Sequence, residues 1–212
     1  MESIIEKYLR EKSQGQTPAL EWLVRQTHIR TNYPQMLSGP VQGALLTMLV
    51  KLVRPRRILE IGCFTGYSTI CMAYGLEGIP EAHIDSLELN EELEDLIREG
   101  FDRARVSERI TLHFGDARET LKKLKGPYDL VFMDADKREY CEYYQLLQPL
   151  MHSGTLLLAD DVLWDGKVLQ DPLPVDKQTR GIAAFNDMIA ADPTVEKVLL
   201  PLRDGLYLIR IK

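Results

Sequence analysis

The strongest chemical signal in the chain is Leu59-Glu60-Ile61-Gly62-Cys63-Phe64-Thr65-Gly66-Tyr67-Ser68, in which an acid stands two residues before the first of two glycines. In open α/β sheets ligands bind outside the carboxyl ends of the strands, where glycines let the backbone approach them. The spacing is G-x-x-x-G rather than G-x-G-x-x-G, and a pyrophosphate favours a helix N-terminus without a nearby carboxylate. A cationic ligand favours the acid. Glu88 ends the next strand-like run, 22 residues after Gly66, where an acidic side chain can accept both hydroxyls of a ribose. Two later runs end in Phe132-Met133-Asp134-Ala135-Asp136-Lys137 and Leu158-Ala159-Asp160-Asp161-Val162-Leu163-Trp164. If these strands are neighbours, three carboxylates converge, and their repulsion is relieved only by a cation or by protonation. A hard divalent ion such as Mg2+ suits oxygen ligands and leaves places for water or substrate. Taken singly, each acid is equally a solvated residue at a strand end, Lys137 a surface lysine paired with Asp136, and the two glycines a tight turn.

Bringing these groups to one edge requires a parallel sheet with crossover helices, and the chain has that rhythm from Arg57 onward. Strands are predicted over 57–61, 83–89, 110–114, 129–133 and 155–159. Between them, helices are predicted over 68–76, from Asn90 as a cap with Leu93, Leu96, Ile97 and Phe101 at helical spacing, from Ala117, over 137–147 and over 179–191. Gly126 and Pro127 break the chain before the fourth strand, and 164–174 reads as a long loop of the kind that is often functional. The runs 195–200 and 205–211 are joined by residues 201–204, too few for a crossover, so they form an antiparallel hairpin. Helices over 2–12 and 42–52 make residues 1–53 an N-terminal helical extension to a core over 54–212, the whole reading as one domain. The fold class is α/β, with a doubly wound, seven-stranded, mostly parallel sheet whose last strand is antiparallel.

The E-x-G-x-x-x-G pattern resembles motif I of class I S-adenosyl-L-methionine (SAM) methyltransferases, a Rossmann-like fold whose cofactor carries a sulfonium and an ammonium group. In that fold Gly115-Asp116-Ala117 occupies the place that contacts adenine, although Gly-Asp is also ordinary turn chemistry. From about Tyr33 to Lys212 the chain is similar to the cation-dependent O-methyltransferases typified by catechol and caffeoyl-CoA O-methyltransferases. The similarity runs through Met36-Leu37-Ser38-Gly39-Pro40-Val41-Gln42-Gly43, the motif I segment, Asp134-Ala135-Asp136-Lys137, Asp160-Asp161-Val162-Leu163-Trp164 and Asp204-Gly205-Leu206. The resemblance implies that Ser38, Glu60, Gly62, Phe64, Gly66, Ser68, Glu88, Asp116, Ala117 and Asp134 line SAM, and that Asp134, Asp160 and Asp161 hold a divalent cation. It further implies that Lys137, with Asp134, deprotonates or orients the accepting hydroxyl, and that Met36, Lys137, Trp164 and Asp165 face the acceptor. The third ligand position in the family is usually Asn and here is Asp161, an extra charge that bears on the choice among Mg2+, Mn2+ and Ca2+. The expected reaction is transfer of a methyl group to a catechol-like phenolic small molecule. A sibling branch methylates a hydroxylated uridine in transfer RNA. Homodimers are the family pattern.

Composition narrows the partners. The 212 residues carry 26 Lys+Arg against 32 Asp+Glu, a net charge of −6, which disfavours nonspecific binding to nucleic acid. Arg54, Arg56 and Arg57 form only a modest basic cluster, so transfer RNA ranks second to a small molecule. A cofactor-binding module without catalysis is disfavoured by Asp134, Lys137 and Asp160, and a dehydrogenase by the missing G-x-G-x-x-G. Cys63, Cys71 and Cys141 form no CxxC pair, which argues against a disulfide framework and for a reducing cytoplasm. Met1 is followed by Glu2 and Glu6 rather than a basic and then apolar stretch, and no run is expected to approach a membrane span.

Overall fold

The computed structural model describes residues 4–212. The first five strands are β1 (Arg57–Ile61), β2 (His83–Glu88), β3 (Ile110–Phe114), β4 (Tyr128–Met133) and β5 (Met151–Ala159). β1, β2 and β4 bury almost every residue, as parallel strands covered on both faces must. β6 (Val195–Leu200) and β7 (Leu206–Ile211) complete a sheet of order β3-β2-β1-β4-β5-β7-β6. The pairs among β1 to β5 are parallel, whereas β7 runs antiparallel to both β5 and β6. The seven-stranded class I architecture read from the sequence, closing hairpin included, is the one observed.

Alternate residues of the strands face two apolar layers. Ile58, Leu130, Phe132 and Leu158 face the helices α2 (Pro18–Arg30), α3 (Gly39–Val53), α4 (Tyr67–Gly75) and α5 (Glu94–Ala104), which follow α1 (Ile4–Lys12). Leu59, Ile61, Val131, Met133 and Leu157 face α6 (Ala117–Leu121), α7 (Tyr140–Leu147) and α8 (Lys177–Ala191). β1 pairs with β2 on one side and β4 on the other, so the chain departs in opposite directions beside β1 and leaves a crevice at its C-terminal end. The backbone ladder continues one residue past the strands: Gly62 N donates to Leu87 O, Asp134 N to Ile61 O, and Asp160 N to Met133 O, at 3.0, 2.9 and 2.9 Å. Three residues singled out by sequence are thereby pinned along one edge.

The elements depart from expectation in a few places. α2 was not anticipated. Thr17 caps it and Pro18 opens it, but Leu20, Trp22, Leu23 and Val24 are spread around its axis rather than gathered on one stripe, so periodicity does not reveal it. α1 begins at Ile4, and residue 2, its expected start, lies outside the described residues. The helix expected over 137–147 opens with a 3-10 turn at Lys137–Glu139 capped by Asp136. β5 starts at Met151, because Gly154 adopts φ +99° within the strand instead of ending the preceding segment. Contrary to the expectation that no segment approaches a membrane span, Pro34–Val53 is long and apolar enough by length and composition. In the fold, α3 occupies most of it and buries Gln42, Gly43, Leu46 and Val50.

Candidate active site

A cavity of about 640 Å³ opens at the C-terminal ends of β1 to β4. Gly62, Phe64 and Ser68 form one wall, Glu88, Asp116 and Ala117 a second, and Met36, Ser38, Asp134, Lys137, Asp161 and Trp164 the remainder. The turn after β1 needs its glycines. Gly62 has φ +99°, and a Cβ there would stand 2.0 Å from the carbonyl oxygen of Asp134; Gly66 has φ +90°, and a Cβ would stand 2.7 Å from the Phe101 ring. L-residues rarely adopt such φ values, and the absence of side chains lets β1 and β4 close against each other at the crevice. Phe64, at φ +50°, turns its N–H toward Glu88 Oε2 at 2.6 Å, and Asn90 N donates to Glu88 Oε1 at 2.8 Å. Glu88 is thus fixed at the end of β2 with lone pairs to spare on both oxygens. Burial raises its pKa, and the backbone N–H donors of Asn90 and Phe64 oppose the rise. Asp116 caps α6 and pairs with the Arg118 guanidinium at 2.7 Å, which holds its carboxyl below the usual range.

On the other side of the cavity Lys137, only 6% exposed, extends its ammonium to Asp134 Oδ1 at 2.5 Å and Asp161 Oδ2 at 3.1 Å. It also donates to Tyr140 Oη at 3.0 Å. Burial disfavours the charge on Lys137, but Asp134, Tyr140 and Asp161 outweigh it and raise its pKa well above the usual value. Lys137 is therefore held as an ammonium, because its close neighbours are carboxylates. It is also not the surface lysine on Asp136 of the alternative reading; Asp136 pairs with Arg138 instead. Asp160, 2% exposed, stands behind Asp134. Burial, and then the charges of Asp134 and Asp161, push its pKa up to about 7. Its Oδ2 accepts from Gln42 Nε2 at 2.5 Å, while Oδ1 is buried with no hydrogen-bond partner among the described residues. One ammonium among three carboxylates leaves the cluster short of positive charge.

Three kinds of placement result. Ser38, Gly62, Phe64, Ser68, Glu88, Asp116, Ala117, Asp134, Lys137, Asp161, Met36 and Trp164 face the cavity. Glu60 and Gly66 do not line it. Glu60 lies within β1 on the face turned to α4, fully buried, and takes hydrogen bonds from Ser68 Oγ and Ser86 Oγ, both at 2.5 Å, and from the Thr69 hydroxyl. It acts on the cavity through Ser68. Asp160 and Asp165 are also outside the lining, Asp165 being tied by its backbone N–H to the Asp204 carboxylate at 2.6 and 2.8 Å. Sequence reasoning assigned no role to Tyr140 or Gln42. Tyr140 donates to the Asp160 carbonyl at 2.9 Å, and its spacing of three from Lys137 is the signal that points to it. For Gln42 the signal is a lone polar residue at a core position of an apolar helix.

Known proteins with this sequence pattern and fold agree on one chemistry. Residues 10–212 match the family model described as O-methyltransferase. The chain is 34% identical over 188 residues to a catechol O-methyltransferase of Niastella koreensis, covering 84% of each protein. It is 34% identical over 185 residues to caffeoyl-CoA O-methyltransferase 1 of Eucalyptus globulus, covering 82% of this chain and 74% of that one. Among solved structures it resembles the O-methyltransferase from Bacillus cereus in complex with SAH, with a TM-score of 0.91, 30% identity and coverage of 100% of this chain and 98% of the other. With a glycine turn, a strand-end acid and an acidic cluster around one cavity, the chain belongs to the O-methyltransferase family and is a SAM-dependent O-methyltransferase of the catechol and caffeoyl-CoA type.

Proposed function

We propose that this enzyme methylates one hydroxyl of a vicinal phenolic diol with the help of a divalent cation. The observation that carries the reading is the acidic cluster in which Asp134 and Asp161 stand on the wall of the cofactor cavity and Asp160 lies buried behind them, its Oδ1 unpaired among the described residues. Its oxygen donors and its charge suit a hard cation such as Mg2+, with Mn2+ or Ca2+ as candidates. Among the described residues no three side chains stand as a ready metal cage, and the Lys137 ammonium bridging Asp134 and Asp161 is the group that has to give way. A cation held by Asp134, Asp160 and Asp161 would acidify the accepting hydroxyl and align two adjacent oxygens.

The chain supplies the rest. Gly62, Phe64, Ser68 and Ser38 receive the amino-acid end of SAM, Glu88 the ribose hydroxyls, and Asp116 and Ala117 the adenine. Met36 and Trp164 bound the acceptor with apolar surface, and an indole there offers a face for a planar ring. Lys137 Nζ orients the accepting oxygen: as the ammonium held by Asp134 and Asp161 it donates to that oxygen, and it would take the hydroxyl's proton only as the free amine, after a cation had claimed those carboxylates and the ammonium had released its own proton. In the reaction the O–H proton leaves, the oxygen–methyl bond forms, the sulfur–methyl bond breaks, and the sulfonium becomes a neutral thioether. Holding both partners in one cavity supplies proximity. Arg57 pairs with Asp85 at the far end of β1 from the cavity, which is why a small acceptor is favoured over transfer RNA. We also read the whole chain as one catalytic domain, acting as a cytoplasmic homodimer. The free cysteines suit a reducing compartment, and the exposed Ile4, Ile5, Tyr8 and Leu9 of α1 offer a surface for a second subunit.

Labelled methyl transfer to a panel of vicinal phenols and to bulk transfer RNA, with and without EDTA, tests this reading. Transfer to a diol that is abolished by EDTA and by Asp160→Ala is the expected outcome. Activity indifferent to EDTA, or kept in Asp160→Ala, rules out the cation's role, and transfer to RNA alone rules out the acceptor class.

A further inference from the structure

One buried side chain beside the acidic cluster has no part in the mechanism above. Gln42 is fully buried in α3, where its companions in the interior are Gly43, Leu46 and Val50. An amide in such surroundings is destabilising at each end left without a partner, and this one is satisfied at both ends. Nε2 donates to Asp160 Oδ2 at 2.5 Å, and Oε1 accepts from Arg203 Nη1 at 3.2 Å. Arg203 lies in the turn between β6 and β7 and holds φ +50°. Three segments therefore meet at one amide, Gln42 being 118 residues from Asp160 and 161 from Arg203.

The direction of this chain is fixed by chemistry. A guanidinium has donors only, so the amide oxygen must face Arg203 and the NH2 must face the carboxylate. Reversing the amide would set donor against donor at Arg203. The NH2 group fixes the rotation of the Asp160 carboxylate by occupying Oδ2, and Oδ1 is the oxygen left without a partner among the described residues. The Asp160 backbone is held independently, its N–H by Met133 O and its carbonyl by Tyr140 Oη. Only the side-chain rotation is left for Gln42 to set. Gln42 does not line the cavity, so it acts through Asp160.

We propose that Gln42, backed by Arg203, is a positioning residue that turns Asp160 so that Oδ1 is offered to the divalent cation. The inference rests on the cation-assisted reading given above. Partners that hydrogen-bond a ligating group typically change metal affinity by about 10–100-fold when removed. The test is calorimetric titration of Mn2+ into the full-length wild type, Gln42→Met and Arg203→Met, with SAH affinity measured on the same samples. Gln42→Met is expected to weaken Mn2+ binding by about 10–100-fold and Arg203→Met to weaken it less, with SAH affinity unchanged in both. Equal Mn2+ affinity in all three proteins overturns the role of Gln42 and leaves the cation reading standing. No Mn2+ binding by the wild type overturns both. A parallel loss of SAH affinity, the mark of a generally damaged site, also counts against it. Should Gln42→Met fail to fold, the exposed Arg203→Met decides, and an unchanged Mn2+ affinity there overturns the proposal.

Discussion

Glu60→Gln separates the part of motif I that meets the cofactor from the part that is held in the core. Glu60 is fully buried and surrounded by the hydroxyls of Ser68, Thr69 and Ser86. Burial raises its pKa from 4.5 to about 7, against the pull of those hydroxyls. An acid whose folded pKa exceeds its unfolded one binds more protons in the folded state. Its contribution is complete below about pH 4.5 and is lost as the pH rises through about 7. At about 1.4 kcal/mol per pH unit, the rise from 4.5 to about 7 amounts to roughly 3 kcal/mol. Glutamine does not titrate, so the stability of wild type relative to Glu60→Gln should fall by about that amount between pH 4.5 and 8, most of it before pH 7. Urea denaturation of both proteins across this range, followed by circular dichroism, measures the difference directly, and other titrating groups cancel between them. A difference that changes by less than about 1 kcal/mol over the range would mean that Glu60 is ionised with an ordinary pKa in the fold, and the burial argument would be refuted.

Two further changes probe the cavity. Gly62→Ala forces a residue with a side chain into φ +99° and places its Cβ 2.0 Å from Asp134 O; left-handed backbone and overpacking together should cost about 2–5 kcal/mol, read as a lowered Tm with weakened SAH binding, and a Tm within a degree or two of wild type would contradict the close approach. Lys137→Met should lower kcat by roughly 10²–10⁴-fold while SAH affinity stays near that of the wild type, since Lys137 reaches the carboxylates rather than the nucleoside wall; a change confined to KM would assign Lys137 to binding alone.

Much of the edge that carries the site is legible in the sequence because parallel strands write their burial on both faces into continuous apolar runs. Gly62, Asp134 and Asp160 follow such runs, while Glu88 ends β2 and Asp116 follows the edge strand β3, in which apolar residues alternate with polar ones; locating the strands locates them all. Glu60 shows where this reasoning stops. It belongs to the same motif, but a residue inside a strand points to one face of the sheet, and only residues at or past the strand end open onto the crevice. α2 is illegible for a related reason: its apolar residues are spread over more than one face, so no single period stands out. Gln42 and Asp160 are 118 residues apart, and no local pattern records that an amide of the N-terminal extension closes on a carboxylate one residue past β5.

The position of Lys137 is readable and its electrostatic state is not: Asp134 does most to hold the ammonium, Tyr140 follows, and Asp161 adds to them. Where the family resemblance leads one to expect Asn, this chain has a carboxylate, held at φ +55° in the left-handed region. Asn tolerates that conformation at least as well as Asp, so backbone preference does not explain the acid. The 3.1 Å approach to Lys137 Nζ does. With an amide at this position the ammonium would pair with one carboxylate, Asp134, and keep its hydrogen bond to Tyr140 Oη; with the acid it bridges two carboxylates and is the stronger competitor for the place a divalent ion would take. The same substitution raises the negative charge available once Lys137 moves aside. Asp161 therefore acts in two directions, deepening the attraction for a cation while strengthening the ion pair that must open to admit it. Asp160, oriented by Gln42 and without a direct hydrogen bond to Lys137, is the carboxylate free of that competition.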